Sequence, residues 1–228
     1  MSQAKEAAGR RAADLIETKT TVGLGTGSTV FFTLQRLAER IREEGLEVRG
    51  VPTSLDTEGK AREMGIPLVG LDEVERIDLT IDGADEIDGN FDMIKGGGGA
   101  LLREKVVASI TEREVIVVGR DKVVERLGLG FLLPVEVVPF ARPMVQRALQ
   151  GLGAEPNLRL AEQERAYRTD NGNEILDCRF PEGIADAAGL EQEIDRIPGV
   201  VESGLFVGLA HVMVVGEEGG GAELVARG

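Results

Sequence analysis

The chain has 228 residues, of which 40 are acidic and 26 basic, so its net charge is −14. A surface with that charge repels nucleic acid and anionic membranes, and the doublet Arg10–Arg11 is too small to reverse this, so we predict neither partner. The hydrophobic content of 42% predicts a water-soluble globular protein, and the single cysteine, Cys178, excludes an internal disulfide and fits a reducing cytoplasm.

The first half of the chain predicts strands and helices in alternation. Apolar residues at helical spacing predict helices over residues 4–18, 30–42 and 57–64. Short apolar runs predict strands at residues 21–24, 48–52, 67–69, 77–81 and 115–119. Strands separated by helices favour a Rossmann-like parallel sheet, which binds ligands beyond the carboxyl ends of its strands.

After Gly130 the order of predicted elements changes. Strands are predicted at residues 135–139, 157–161, 175–180 and 200–206, and helices at 142–152 and 190–196. This βαββαβ order is typical of a smaller ferredoxin-like α+β domain. We therefore expect an α/β fold with a Rossmann-like catalytic domain over residues 1–129 and a ferredoxin-like domain over 130–205. Residues 206–228 would return to the first sheet, with glycine-rich 216–221 as a turn or loose end.

The first candidate functional motif, Gly23–Thr29, follows the first strand and precedes a helix. Glycines let a backbone approach an anion closely, and the amides at a helix start point toward it. The glycine spacing is neither that of a dinucleotide-binding loop nor that of a P-loop. A structural tight turn is an equally good interpretation of this motif taken alone.

The second motif, Asp82–Asp88, follows the strand predicted at 77–81. Clustered carboxylates suit acid–base chemistry or metal binding, whereas an Asp-rich turn is the simpler interpretation. We favour the turn for Glu86 and Asp88. For Asp82 and Asp85, the functional interpretation depends on the motif that follows.

The third motif, Lys95–Lys105, contains four consecutive glycines. Such a run is costly to order and builds no core, so it indicates a backbone that lies against a ligand. Glu104 falls about one turn into the next helix, which we expect Leu101, Leu102, Val106 and Val107 to anchor. On position alone, Glu104 would be a surface residue in an i,i+4 pair.

Together these motifs supply a phosphate-binding loop, carboxylates and a lysine. Those groups suffice to move a proton between adjacent carbons of a phosphorylated sugar, with one carboxylate as base and donors that stabilise the enediolate oxygen. In this order and spacing, the three motifs and the later Gly119–Lys122 resemble the type A ribose-5-phosphate isomerases along nearly the whole chain.

The resemblance implies interconversion of ribose 5-phosphate and ribulose 5-phosphate in the non-oxidative pentose phosphate pathway, with no cofactor and no metal. Glu104 would be the base, Asp82 would assist ring opening, and Asp85 and Lys95 would position hydroxyls and the oxyanion. The residues expected to bind substrate are Thr26, Gly27, Ser28, Thr29, Gly83, Ala84, Gly96, Gly97, Gly98 and Lys122. We expect a cytoplasmic protein, and the resemblance suggests a homodimer, with a tetramer as the alternative, whose ligand is a small sugar phosphate.

Two other classes of protein could share part of this set of motifs. A non-catalytic sugar-phosphate sensor would keep the phosphate loop but need neither Glu104 nor the two aspartates, and it would usually carry a DNA-binding module. A dinucleotide-dependent dehydrogenase fits less well because the glycine spacing differs. The only histidine, His211, lies in an apolar segment, so we expect it to be a core residue.

Overall fold

The structure is a computed structural model that describes residues 2–228, and it divides into two compact units. The first unit consists of the chain up to Ala84 with Arg103–Val123 and Leu209–Gly228, and the second of Asp85–Leu102 and Val124–Gly208. No helix among residues 2–228 is both long enough and apolar enough to cross a membrane.

Six α-helices and thirteen β-strands make up the described chain. The helices are α1 (Ser2–Ala13), α2 (Val30–Glu44), α3 (Leu55–Glu63), α4 (Leu101–Ser109), α5 (Arg142–Gly151) and α6 (Ala187–Asp195). The strands are β1 (Thr20–Leu24), β2 (Val48–Pro52), β3 (Leu79–Asp82), β4 (Glu86–Ile87), β5 (Met93–Ile94), β6 (Glu114–Gly119), β7 (Leu133–Val137), β8 (Glu155–Leu158), β9 (Glu174–Arg179), β10 (Val200–Ser203), β11 (Leu205–Phe206), β12 (Val212–Gly216) and β13 (Ala222–Ala226).

A six-stranded sheet in the order β13-β12-β6-β3-β1-β2 forms the centre of the first unit. Its strands are parallel except β13, which runs antiparallel to β12. Every residue of β3, β6 and β12 is buried, which is the pattern of strands covered on both faces. The predicted parallel sheet is confirmed, and the loops after β1, β2, β3 and β6 all leave the sheet at its carboxyl edge.

Helices α1 and α2 pack closely against each other within this unit. The buried residues of α2 recur at helical spacing, and α2 ends at Gly45, which has the left-handed backbone that favours glycine. A Cβ on Gly9 of α1 would lie 2.6 Å from the carbonyl of Thr29, so this approach requires a glycine. Arg10 forms two hydrogen bonds with Glu39 across the pair, and its guanidinium lowers the pKa of that carboxyl.

The chain returns to the first sheet as β12 and then adds β13. The glycine-rich segment between these strands is their hairpin connection, with a hydrogen bond from Glu217 N–H to the Gly221 carbonyl. His211, which precedes β12, is exposed rather than part of the core. The core interpretation was therefore wrong: the Nδ1 of His211 accepts the backbone N–H of Glu114 at the rim of the sheet.

The second unit contains an antiparallel sheet in the order β10-β7-β9-β8. With α5 between β7 and β8 and α6 between β9 and β10, this arrangement has the predicted ferredoxin-like order. A second sheet, β11-β5-β4, joins two-residue strands. Residues 85–102, which contain β4 and β5, belong to the second unit, whereas the sequence predicted them in the first domain.

One predicted strand of the first unit is reduced to a single bridge. Residues 67–69 pair with β2 only between Gly50 and Leu68. Gly50 donates to the Pro67 carbonyl and accepts from Val69 N–H. Pro67 has no N–H with which to extend the ladder, which explains why this segment does not become a strand.

We predict that the thiol of Cys178 does not react while the protein is folded. Cys178 lies in the core of the second unit on β9, and burial raises the pKa of its thiol well above the usual range. Little thiolate therefore forms at pH 8. An aromatic disulfide reagent, followed by the coloured thiolate that it releases, should titrate about one thiol in guanidinium-denatured protein and almost none in buffer. Rapid labelling of the folded protein would contradict this prediction.

Candidate active site

The loop after β1 is held to the end of β3 by the carboxylate of Asp82. Asp82 is buried, and its Oδ1 accepts the backbone N–H groups of Thr26 at 3.0 Å and Gly83 at 2.7 Å. A Cβ on Gly25 would lie 2.2 Å from Oδ1 and 2.5 Å from the Cα of Asp82. Glycine is therefore required at residue 25 for the carboxylate to contact the loop.

Four hydroxyl groups meet beside this carboxylate. Thr26 Oγ1 lies 2.9 Å from Thr53 Oγ1, 2.8 Å from Ser54 Oγ and 3.2 Å from Thr57 Oγ1. Ser54 also caps α3 by accepting the N–H of Thr57, and the Thr57 hydroxyl donates to the Gly25 carbonyl. The network fixes the orientation of Thr26 from the loop after β2, a contribution that the sequence analysis missed.

The other side of the same loop presents groups suited to an anion. Ser28 is exposed, and its Oγ accepts a hydrogen bond from Lys5 Nζ at 2.8 Å. Gly27 has a φ of 118°, and nothing lies within 4 Å of where its Cβ would be. Thr29 stands at the start of α2 without capping it through its side chain. A cation, two hydroxyls and a helix N-terminus therefore meet here, and together they favour a phosphate.

Lys5 is a candidate site residue that the sequence analysis missed. It lies on α1, 23 residues before Ser28, and no motif links it to the loop. Lys122, by contrast, was predicted, and it lies in the short 3-10 turn that follows β6. Because β6 and β3 are neighbouring strands of the sheet, Lys122 lies at the same carboxyl edge as Asp82 and the loop after β1.

Glu104 occupies the first turn of α4, where it lies on the buried face of the helix. Its exposed fraction is 6%, and Leu101 and Ala108, at i−3 and i+4, are buried on the same face. Val106, expected to anchor the helix, is exposed. The alternative of a surface glutamate is therefore wrong, and this burial sets Glu104 apart from an ordinary helical carboxylate.

In the second unit, the carboxylate of Asp85 contacts the four-glycine loop. Its Oδ2 accepts the N–H of Gly97 at 2.7 Å, and a Cβ on Gly97 would lie 2.6 Å from Oδ1. Gly96 and Gly99 have φ angles of 100° and 82°, which disfavour other residues. Gly97 and Gly98 are exposed, so their backbone is open to a ligand.

Lys95 precedes this loop and is almost completely buried, with 2% of its surface exposed. Its Nζ lies 5.4 Å from the centre of the Phe206 ring, a cation–π contact, and its N–H donates to the Gly204 carbonyl. Burial to this degree holds the side chain in one place, unlike that of a mobile surface lysine.

The two acidic residues for which a turn was favoured have structural partners. Asp88 forms a turn in which its Oδ1 accepts the N–H groups of Asn90 and Asp92, as expected. Glu86 is instead buried in β4, and its two carboxylate oxygens accept the N–H groups of Gly128 and Gly130. Its role is thus to hold the segment before β7.

The sequence matches the family model of ribose 5-phosphate isomerase A (phosphoriboisomerase A) over residues 49–220. The chain belongs to this family. Interconversion of ribose 5-phosphate and ribulose 5-phosphate is the family's known function, so the family and the isomerase class predicted from the motifs are confirmed.

Individual relatives agree with the family assignment. Ribose-5-phosphate isomerase A of Gloeobacter violaceus is 56% identical over 217 residues, which is 95% of this chain and 93% of that protein. The ribose 5-phosphate isomerase A structure from Methanocaldococcus jannaschii is 41% identical, with a TM-score of 0.93 over 98% of both chains. A D-ribose-5-phosphate isomerase in complex with phospho-erythronic acid is 36% identical, with a TM-score of 0.94 over 98% of both chains.

We predict that Gly25→Ala destabilises the protein, because the new Cβ would collide with the backbone of Asp82 as well as with its carboxylate. The expected loss is about 2 kcal/mol or more of unfolding free energy, measured by urea denaturation.

Gly59→Ala is the matched control, since Gly59 lies inside α3 with nothing within 4 Å of the new Cβ. It should stabilise the protein by about 0.5–1 kcal/mol. Equal stability of the two variants would contradict the collision at residue 25.

Proposed function

We propose that this protein interconverts D-ribose 5-phosphate and D-ribulose 5-phosphate by proton transfer through an enediolate, with Glu104 as the base. Membership of the family supports the reaction. The observation that supports Glu104 is its burial in the first turn of α4, where a carboxylate is an uncommon residue and is sheltered from bulk water. A base shielded from water also keeps the abstracted proton for return to the substrate.

Ring opening comes first, because the furanose form has no free carbonyl. We assign to Asp82 the removal of the proton from the C1 hydroxyl and its delivery to the ring oxygen as the bond between C1 and that oxygen breaks. Its Oδ1 is fixed by the N–H groups of Thr26 and Gly83, so the carboxylate needs no reorientation before it acts.

Glu104 then removes the proton from C2. The electrons of the C2–H bond form the C1=C2 double bond, and those of the C1 carbonyl move to its oxygen, giving the enediolate. Glu104 returns the proton to C1, while the C2 hydroxyl loses its proton and becomes the ketone and the C1 oxygen gains one. One base therefore serves both carbon centres, and the reaction has no net proton change.

The negative charge that develops on the C1 oxygen requires a fixed counter-charge. We assign this to Lys95, whose burial makes its attraction for an oxyanion stronger than that of a surface lysine. Asp85 orients substrate hydroxyls, and the backbone groups of Gly96, Gly97 and Gly98 bind the substrate from their loop. The backbone groups of Gly83 and Ala84 bind it beside Asp82.

Phosphate binding is assigned to the loop after β1. Ser28 and Thr29 donate hydroxyl hydrogen bonds, the N-terminus of α2 contributes its amides, and Lys5 and Lys122 supply positive charge. Thr26 and Gly27 shape the loop. These local donors allow a protein of net charge −14 to bind a dianion, because charges across the surface are screened over about 8 Å.

Replacement of Glu104 tests the assignment of the base. Glu104→Gln keeps the shape of the side chain but cannot accept the C2 proton. We expect the wild type to form ribulose 5-phosphate in the presence of EDTA, and kcat to fall by about 10³-fold or more in the variant with substrate binding retained. Glu63→Gln, an exposed glutamate on α3, is the matched control and should keep wild-type turnover.

Each alternative result has a separate meaning. A wild type that binds the sugar phosphate without converting it would replace the isomerase proposal with the sensor. Near-normal turnover by Glu104→Gln would leave the isomerase in place and remove Glu104 as its base.

We further propose that the protein is a cytoplasmic homodimer in which an apolar face of the second unit joins two copies. Phe140 is 96% exposed and lines a groove of about 590 Å³ whose other walls include Met144 and Pro198. Residues 137–154 contain no Asp or Glu, so this segment adds no carboxylate repulsion between two copies of the acidic chain. The single cysteine supports a reducing compartment.

Light scattering after size-exclusion chromatography tests the dimer. Phe140→Asp should shift the wild-type dimer to a monomer, because it places a charge where an exposed aromatic ring would be buried. Leu71→Asp changes an exposed leucine in the first unit and should leave the mass unchanged. A monomeric wild type, or a dimer that both variants leave intact, would contradict the proposed interface.

A further inference from the structure

Two side chains that the proposed mechanism does not use bind the glycine loop of the second unit. Arg159 Nη1 donates to the Gly96 carbonyl at 3.0 Å and to the Gly97 carbonyl at 3.1 Å. The Tyr167 hydroxyl donates to the Gly98 carbonyl at 3.3 Å. Three consecutive carbonyls of the loop are thus bound by two residues of the connection between β8 and β9.

Arg159 is itself held in place. Its Nε donates to Asp177 Oδ2 at 2.9 Å and its Nη2 to Oδ1, which is the two-point geometry that fixes a guanidinium most firmly. Both side chains are largely buried. The Tyr167 ring lies 5.8 Å from the guanidinium carbon, and Tyr167 N–H donates to the Arg159 carbonyl. The donor is therefore positioned before any ligand binds.

Tyr167 remains a hydrogen-bond donor throughout the physiological pH range. Burial raises the pKa of its phenol, and this outweighs the opposite effect of the Arg159 guanidinium. A Cβ on Gly99 would lie 2.2 Å from the Tyr167 hydroxyl oxygen, so the ring also fills the space beside the loop.

These bonds determine where the amides of the loop point. In a trans peptide the carbonyl and the next N–H point in opposite directions, and the described chain has no cis peptide. Because the Gly96 carbonyl faces Arg159, the Gly97 N–H points away from it and reaches Asp85 Oδ2. By the same geometry, binding of the Gly97 carbonyl turns the Gly98 N–H away from the guanidinium.

We propose that Arg159 is a positioning residue for the isomerase reaction. It orders the loop so that Asp85 and the Gly98 amide face the reacting end of the sugar phosphate, and it does so without contact with the substrate. Its positive charge also polarises the two peptide groups and strengthens their N–H donors. This inference rests on the proposed function, and the experiments below distinguish a failure of the positioning role from a failure of the isomerase proposal.

Arg159→Met tests the proposal, since methionine has a similar length but neither charge nor donors. We expect kcat to fall by about 10- to 100-fold with KM changed less than about threefold, because the phosphate-binding residues are untouched. Arg159→Lys keeps the charge and should recover part of the lost kcat. Arg179→Met, the matched control, removes an arginine on β9 that pairs with Glu155 at the surface, and should change neither constant by more than about twofold.

Inhibition distinguishes positioning from a purely structural role. Phospho-erythronic acid carries a carboxylate where the enediolate oxygens form, whereas inorganic phosphate occupies the phosphate subsite alone. In Arg159→Met, the inhibition constant of the first should rise by about the factor by which kcat falls, and that of phosphate should stay unchanged. A loss of folded protein alone would move neither constant.

Amide hydrogen exchange completes the test without reliance on activity. The amides of Gly97 and Gly98 should exchange about tenfold faster or more in Arg159→Met than in the wild type. Turnover and exchange both within about twofold of the wild type would overturn the proposal. An inactive wild type would instead overturn the proposed function, while the exchange rates would still show whether Arg159 orders the loop.

Discussion

A carboxylate in contact with the backbone of a glycine-containing loop occurs in each unit, and the role proposed for each loop depends on that contact. Asp82 accepts the N–H of Thr26, and Asp85 accepts that of Gly97. Each approach is possible only because Gly25 or Gly97 lacks a Cβ, which would lie 2.2 or 2.6 Å from the carboxylate. The contact that shapes each loop therefore also fixes its carboxylate. This kind of preorganisation is needed by a reaction that must open a ring and then move a proton.

The larger elements of the fold could be predicted from the sequence, because hydrophobic periodicity reports which faces are buried. The buried strands of the first sheet and the βαββαβ order of the second unit followed from that pattern. The two-residue strands β4 and β5 could not, since they are too short to have a period, and the strand predicted over 200–206 divides into β10 and β11, which belong to different sheets. Strand β13 was missed because its apolar run, Leu224–Ala226, is only three residues long and follows a glycine-rich segment.

The glycine motifs of the site were visible in the sequence, whereas the side chains that support them were not. Glycine runs are costly to order, so they indicate a site without knowledge of the fold. Lys5 and Arg159 reach their loops from 23 and 63 residues away, and only the fold brings them there. For Glu104, the signal was a polar residue at i+3 from Leu101 on the helix face that is otherwise apolar. Sequence position alone suggested a surface pair instead.

The most direct test of the account is a crystal structure of Glu104→Gln grown with ribose 5-phosphate. We expect an open-chain sugar with its phosphate against Ser28 and Thr29. Its C1 and C2 should lie within about 3.5 Å of the side-chain amide of residue 104, as a proton transfer requires. A sugar phosphate bound elsewhere, or one whose C1 and C2 lie beyond direct reach of residue 104, would contradict the assignment of Glu104 as the base.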